Sequence, residues 1–396
     1  MSVDFQQIQQ QVGDLGADAV QTEARLKNIR KLAHELLNEP DRDLNALRRK
    51  VQLAAEFDPN LRCALPRLDA DRPLAARNPL PEIPAQGSVI AADGSQINPD
   101  RHAEVDYGLI NVGAIQMELG SSAAPKTFIE SHLIYGREFY EGGRSLTVNT
   151  VALKRDLSER KMLAALGEQA LAAPVITFTD GPLELWGSKD TDTQSVFQNI
   201  LREYHEILRR LHGNGVITAG YVDRPGANLI VRLLEIAMLT EEQLDNLRET
   251  HPLEGVTDLE LFAGLLGPGE RSEVFAIQST SARQYQDALS LYFFYLNVST
   301  YEPKLARIEI PGWVAENPAR TDALQATLYR QCQLLGGRSY PYLLHRAHEV
   351  AVVTRDESDQ VTNMIQLELR RRGLEGGEKS PKQSLKDMRG KRRFKV

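Results

Sequence analysis

Two short apolar runs, each closing on Asp-Gly, constrain this chain more than any other feature. Ser88-Val-Ile-Ala-Ala-Asp93 stops at Asp93-Gly94-Ser95, and Pro174-Val-Ile-Thr-Phe-Thr-Asp180 stops at Asp180-Gly181-Pro182. A brief apolar, β-branched run without helical period reads as a strand buried on both faces. Such strands need helices on both sides, so the pair points to an α/β core rather than to a sandwich or a bundle. The surrounding pattern agrees. Val105 to Leu119 reads as a long strand antiparallel to the first run, followed by a helix over Thr150–Ala172, a helix over Val196–Leu211 and a strand over Val216–Val222. Further on, a helix is expected over Asn228–Met238, strands over Glu273–Ile277, Leu289–Val298 and Leu305–Ile310, and helices over Thr321–Leu334, Tyr342–Val353 and Ser358–Arg372. The expected fold is α/β, a mixed sheet flanked by helices.

Ahead of this core, Phe5, Ile8, Val12, Leu15, Leu26, Ile29, Leu32 and Leu36 recur at helical spacing among charged residues, so an N-terminal helical region is expected. The proline-rich segment Asp58–Pro84 reads as a linker. No apolar run approaches the roughly 18 residues of a membrane span, and Met1–Gln11 has neither a basic nor an apolar leader region. A cytoplasmic protein is the expectation. Two cysteines, Cys63 and Cys332, form neither a zinc pattern nor a disulfide framework.

The net charge of −7 argues against a surface that coats nucleic acid throughout, but not against a local basic groove. The terminus is the basic part: Lys379 to Val396 includes Lys391, Arg392 and Arg393 against the single acid Asp387. Such a tail reads equally as a set of phosphate contacts and as a solvated, disordered end.

The chemistry most readily read from these residues is cation binding by carboxylates. Each Asp-Gly puts a carboxylate at the carboxyl end of a buried strand, where open α/β sheets bind ligands, and two such oxygens can share a hard divalent ion. One Asp-Gly alone is an ordinary turn; two after buried strands are more informative. Glu159, on the helix before the second strand, is a third candidate. By itself it reads as a solvated helix residue among Arg155, Arg160 and Lys161, with Asp156 and Glu168 as competitors. His348, in Tyr340-Pro-Tyr-Leu-Leu-His-Arg-Ala-His348, is a fourth, since imidazole can ligate manganese or relay protons. His345 and Glu349 lie beside it. Tyr292-Phe-Phe-Tyr295 reads as core strand packing more readily than as a base-stacking platform. No P-loop, dinucleotide fingerprint, HExxH or GxSxG is present.

Taken together, VIAADGS (89–95), the Arg155…Glu159 helix, TFTDGPLELW (177–186), ITAGYVDRPG (217–226), GERSEVF (269–275), YFFYLN (292–297), ARIEIPGWV (306–314) and YPYLLHRAHEVAVV (340–353) resemble the NurA family of DNA-repair nucleases. The resemblance implies a ribonuclease H-like fold. It implies two bound Mn2+ or Mg2+ ions held by Asp93, Glu159, Asp180 and His348, which would clamp the scissile phosphate of DNA. It also implies Tyr221 and Arg224 as DNA-binding or supporting residues. The implied activity is a single-strand endonuclease and 5′–3′ exonuclease in double-strand break end resection, working as a homodimer with a HerA-type hexameric ATPase. The expected division is a helical region and linker over 1–84, a nuclease domain over 85–375 and the basic tail over 376–396. Pro182 departs from the family's usual Ser or Thr. It leaves open a catalytically weak DNA-binding scaffold on the same fold. A phosphoesterase acting on small nucleotides is the other alternative.

Overall fold

The computed structural model describes residues 4–67, 72–100, 105–141, 144–187, 194–336 and 338–374. The chain divides into two compact units. One is built from residues 1–85, 180–184 and 217–342, the other from 86–179, 185–216 and the chain from Leu343 onward. With elements numbered along the chain, the first unit contains α1 (Phe5–Leu37), α2 (Leu44–Phe57), β1 (Cys63–Leu65) and β2 (Arg77–Asn78). The second contributes β3 (Gly87–Ile97), β4 (Tyr107–Leu119), β5 (Lys126–Tyr135), β6 (Tyr140–Glu141), β7 (Arg144–Ser145), α3 (Val148–Gln169), β8 (Val175–Asp180) and α4 (Gln194–Gly213). The first unit resumes with β9 (Ile217–Asp223), α5 (Leu229–Met238), α6 (Asp258–Ala263), β10 (Arg271–Ser272), β11 (Phe275–Gln278), β12 (Leu291–Asn297), β13 (Leu305–Pro311), α7 (Gly312–Ala315) and α8 (Pro318–Gln333). Helices α9 (Tyr342–Ala351) and α10 (Arg355–Arg371) complete the second.

In the second unit the strand order is β8-β3-β4-β5. β3, β4 and β5 form an antiparallel meander, from Gly87↔Leu119 to Ile97↔Leu109 across the first pair. The chain then crosses over through α3 and returns as β8, parallel to β3 with Ala92 opposite Thr179. A three-stranded meander followed by a helical crossover to a parallel strand is the ribonuclease H-like arrangement, and the mixed sheet flanked by helices stands as expected. Helix α3 starts where Thr147 accepts a hydrogen bond from the Thr150 amide at 3.2 Å, which satisfies a donor the first turn cannot use. Its Val151, Met162, Leu163 and Leu166 pack against Ile90, Ala92, Ile110, Val112 and Ala114. These strand residues alternate, so Val89, Ala91, Asp93 and Ser95 point to the opposite face.

The first unit is antiparallel, in the order β1-β11-β12-β13-β9, with β10 pairing both β12 and β2. Phe293, Phe294 and Tyr295 are fully buried as core, and Tyr292 is half-buried. Asp258, at the start of α6, accepts from the amides of Ile230 (2.9 Å) and Val231 (2.8 Å) and from the Tyr295 hydroxyl (2.6 Å). One buried carboxylate thus caps α5 and ties it to β12. Burial pushes the Asp258 carboxyl up, against the opposing pull of those hydrogen bonds.

The N-terminal helical region is present as α1 and α2. Leu37 and Ala33 of α1 are buried, whereas Phe5, Ile8, Val12 and Leu15 are exposed. The segment read as a linker carries two short strands, β1 and β2, each paired within the first unit. No described helix is long and apolar enough to cross a membrane.

Candidate active site

Asp93 lies inside β3 and not at its end. The strand continues to Ile97, with Asp93 opposite Gly113 and Gly94 opposite Val112 on β4, so the turn expected at Asp93-Gly94-Ser95 is not there. Gly94 serves close approach instead. A Cβ at this position would lie 2.6 Å from Arg155 Cγ and 2.8 Å from Glu159 Oε1. The missing side chain lets α3 bring both residues against the strand at Asp93. The second Asp-Gly behaves as expected: β8 ends at Asp180, and Gly181 turns the chain at φ +90°.

His348 reaches Asp93 from α9, with Nδ1 2.7 Å from Asp93 Oδ2. The imidazole is 63% exposed and the carboxylate 18%. Gly113 makes this possible. A Cβ there would meet Val350 Cγ2 at 2.6 Å, the Ala351 amide nitrogen at 2.8 Å and the Ala347 carbonyl oxygen at 2.9 Å, so the helix lies directly on the strand. Leu343, Leu344, Ala347 and Ala351 bury the inner face of α9. Its last turn is fastened by polar bonds. Asn111 Nδ2 donates to the Ala351 carbonyl at 2.8 Å, Ser95 Oγ donates to the same oxygen, and the Val353 amide donates to Ser95 Oγ at 3.0 Å. Ser131 donates to Asn111 Oδ1 at 2.7 Å and fixes its amide. These bonds satisfy carbonyls that a helix end leaves orphaned, and they hold His348 in place over Asp93.

Glu159 is buried, not solvated. Burial pushes its carboxyl well above the usual range; Asp156 and Asp93 raise it further, and Arg155 opposes. Asp156 is raised chiefly by burial too, with Arg155 opposing. Arg155 bridges these acids: its Nη2 and Nε donate to Asp156 Oδ1 at 2.8 and 3.2 Å, and Nε lies 3.5 Å from Glu159 Oε1. Burial disfavours the Arg155 charge, but Asp156, Glu159 and Asp93 outweigh it and raise its pKa. Arg160 is buried and donates to Thr179 Oγ1 at 2.6 Å, beside the end of β8. The sequence pattern singled out Arg155 and Arg160 only as neighbours that kept Glu159 wet. The i, i+4 spacing of Arg155 and Glu159 was the signal that they share a face.

The turn after Asp180 is secured in the first unit. The Gly181 amide donates to the Tyr221 carbonyl at 2.7 Å, and the Leu183 amide donates to Glu309 Oε2 at 3.0 Å. Gly220 leaves room for this segment, since a Cβ there would lie 2.5 Å from Leu183 N and 2.6 Å from the Gly181 carbonyl oxygen. Glu309 is fully buried on β13 and bonds Arg307 Nε at 3.0 Å, a role the sequence reading did not assign. Tyr221 is fully buried, with its ring edge-on to Tyr340 and its hydroxyl 3.9 Å from Cys332 Sγ. It supports the turn and presents no surface to a ligand. Arg224 is exposed just beyond β9, at φ +48°. Lys391, Arg392 and Arg393 lie outside the described residues. Cys63 and Cys332 are buried free thiols, each pushed up to about 12, chiefly by burial. His345 contacts Glu349 at 3.5 Å.

Fold and site define the class first: a ribonuclease H-like α/β protein with a histidine-bound aspartate on its central hairpin. A match to the NurA domain over residues 87–353, most of the chain, then shows the family, and this protein belongs to the NurA family. Among solved structures it is similar to the NurA nuclease from Sulfolobus solfataricus, at 11% identity and TM-score 0.46 over 72% of this chain and 84% of that one. A NurA bound to dAMP and manganese matches at 12% identity and TM-score 0.34, over 72% and 88%. The catalytic domain of human endonuclease V matches at 12% identity and TM-score 0.31, over 84% and 99%. No curated protein matches. The family assignment rests on the domain match.

Proposed function

We propose that the protein is a metal-dependent deoxyribonuclease, a phosphodiester hydrolase that holds two Mn2+ or Mg2+ ions through Asp93, Glu159, Asp180 and His348. One observation carries the reading: His348 bonds Asp93, and the Asp93 charge acts on the buried Glu159, in a chain whose NurA domain spans all four residues. The donor set fits, because carboxylate and imidazole suit both ions. Glu159 is a buried carboxylate crowded by Asp156 and Asp93, and a divalent cation relieves that crowding. Asp180 is the last residue of β8, where the strand gives way to the Gly181 turn.

When bound, such ions supply Lewis acidity toward the scissile phosphate. The chain's own groups do the rest. Asp93 and Glu159 provide the negative charge that retains the cations. His348, with Nδ1–H donated to Asp93, keeps the Nε2 lone pair free to ligate or to take a proton from the attacking water. Tyr221 and Gly220 hold the turn that carries Asp180. Arg224 and the tail residues Lys391, Arg392 and Arg393 are the cations assigned to the DNA backbone. We assign the protein single-strand endonuclease and 5′–3′ exonuclease activity at DNA ends during double-strand break resection. It works in the cytoplasm as a homodimer with a HerA-type hexameric ATPase, and its nuclease domain covers 85–375; family membership supports this.

A second reading, a catalytically weak DNA-binding scaffold, is favoured by one observation. Among the described residues no three His, Cys, Asp or Glu side chains converge as a ready metal cluster. Single-stranded DNA with Mn2+ separates the readings. The wild type cuts, whereas Asp93→Asn and Asp180→Asn bind and melt normally but do not cut. Cleavage by either variant at the wild-type rate overturns the site. Binding by the wild type without cleavage makes it a scaffold, and turnover of free nucleotides regardless of polymer length makes it a small-nucleotide phosphoesterase.

A further inference from the structure

Arg155 is bonded directly into the acidic cluster, and Arg160 adds a second positive charge that acts on Asp156 and Glu159. The Arg155 guanidinium bonds Asp156 at 2.8 Å and approaches Glu159 at 3.5 Å, and Asp93 acts on its charge. Its stem is accommodated by a backbone feature. Cγ and Cδ lie 2.6 and 3.1 Å from where a Gly94 Cβ would be, so any other residue at position 94 would push the side chain away. Without the Arg155 charge, the half-exposed Asp156 and the buried Glu159 would face each other as like charges one helical turn apart on α3. We propose that Arg155 is the site's resident cation. It neutralises Asp156 and Glu159 until a divalent ion takes its place, so metal entry is an exchange of one cation for another. This inference rests on the metal-site reading above and adds a positioning residue to it.

The exchange predicts that removing the Arg155 charge strengthens metal binding, because the ion no longer competes with a guanidinium. A supporting contact that merely shaped the site would, once lost, weaken binding. Mn2+ affinity is measured calorimetrically on the full chain without DNA, for wild type, Arg155→Met (which keeps the apolar stem over Gly94), Arg155→Lys and Asp93→Asn. Arg155→Met binds roughly tenfold more tightly, the equivalent of one modest ion pair. Arg155→Lys stays near wild type, and thermal melting without metal falls for Arg155→Met but recovers on adding Mn2+. Affinity for Arg155→Met equal to or below wild type overturns the proposal. If Arg155→Met folds only with Mn2+, the two cations substitute for one another and the proposal stands; if it does not fold even then, the proposal fails. Asp93→Asn separates the layers. Unchanged Mn2+ binding in that variant removes the metal-site reading itself, and Arg155 with it. Lost binding there, together with no tightening in Arg155→Met, removes only the role of Arg155.

Discussion

Gly113→Ala tests whether helix α9 holds His348 over Asp93 by direct contact with the strand beneath. The added methyl would lie 2.6 Å from Val350 Cγ2, 2.8 Å from Ala351 N and 2.9 Å from the Ala347 carbonyl oxygen. Val350 can rotate, but the other two atoms are helix backbone. Ordinary contact begins at 3.4 Å, so α9 must retreat by about 0.5–0.6 Å. Overpacking of this kind costs about 1–3 kcal/mol. At about 2–4 °C per kcal/mol, melting should fall by roughly 2–12 °C. The same retreat stretches the 2.7 Å bond between His348 and Asp93 to about 3.2–3.3 Å, the weak end of the hydrogen-bond range. A catalytic group misplaced by about half an ångström is expected to slow cleavage by about tenfold. The assay pairs thermal melting with Mn2+-dependent cleavage of single-stranded DNA, using Gly213→Ala as control. Gly213 ends α4, and a Cβ there meets nothing within 4 Å, so that variant should melt and cut as the wild type does. Wild-type melting and cleavage in Gly113→Ala would refute the argument that the glycine sets the helix height.

Asp258→Ala removes the bonds to Ile230, Val231 and the Tyr295 hydroxyl and should cost about 2–3 kcal/mol in urea unfolding, since buried donors are left unpaired. A pH series reads the same residue. Burial raises the folded Asp258 carboxyl, so the native state binds its proton more tightly and stability declines as pH rises from about 3.9 through the raised value. Asp258→Asn should flatten that decline, and an unchanged slope would contradict it. Glu309→Leu removes the acceptor of the Leu183 amide and the carboxylate bonded to the buried Arg307 and should cost about 3–5 kcal/mol, with loss of cleavage through the Asp180 turn. A fully active, fully stable variant would remove Glu309 from that role.

What the residue pattern revealed, and what it hid, follows from period and burial. Strands buried on both faces announce themselves as continuous apolar runs, so β3, β8 and β9 were legible, and the capped helices on either side were legible by their 3.6 period. β5 was not. Its residues Lys126–Tyr135 are mostly exposed, and an edge strand with polar residues on both faces carries no alternation to read. The two Asp-Gly pairs looked alike and are not. The Gly181 conformation is a true turn, whereas Gly94 exists for the close passage of α3, and only a packed helix distinguishes them. Likewise, the basic neighbours of Glu159 suggested a wet helix face, because sequence spacing does not reveal that Arg155 folds over Gly94 and Arg160 turns to Thr179. The glycine opposite Asp93 is invisible without the register of β3 on β4.

Manganese anomalous scattering from crystals grown with Mn2+ tests the central assignment most directly. A peak bonded to Asp93 and Asp180, with Glu159 and His348 completing its ligands and the Arg155 guanidinium moved away from Asp156, is the result expected. Manganese bound elsewhere, or no ordered manganese beside Asp93 at millimolar concentrations, would contradict it.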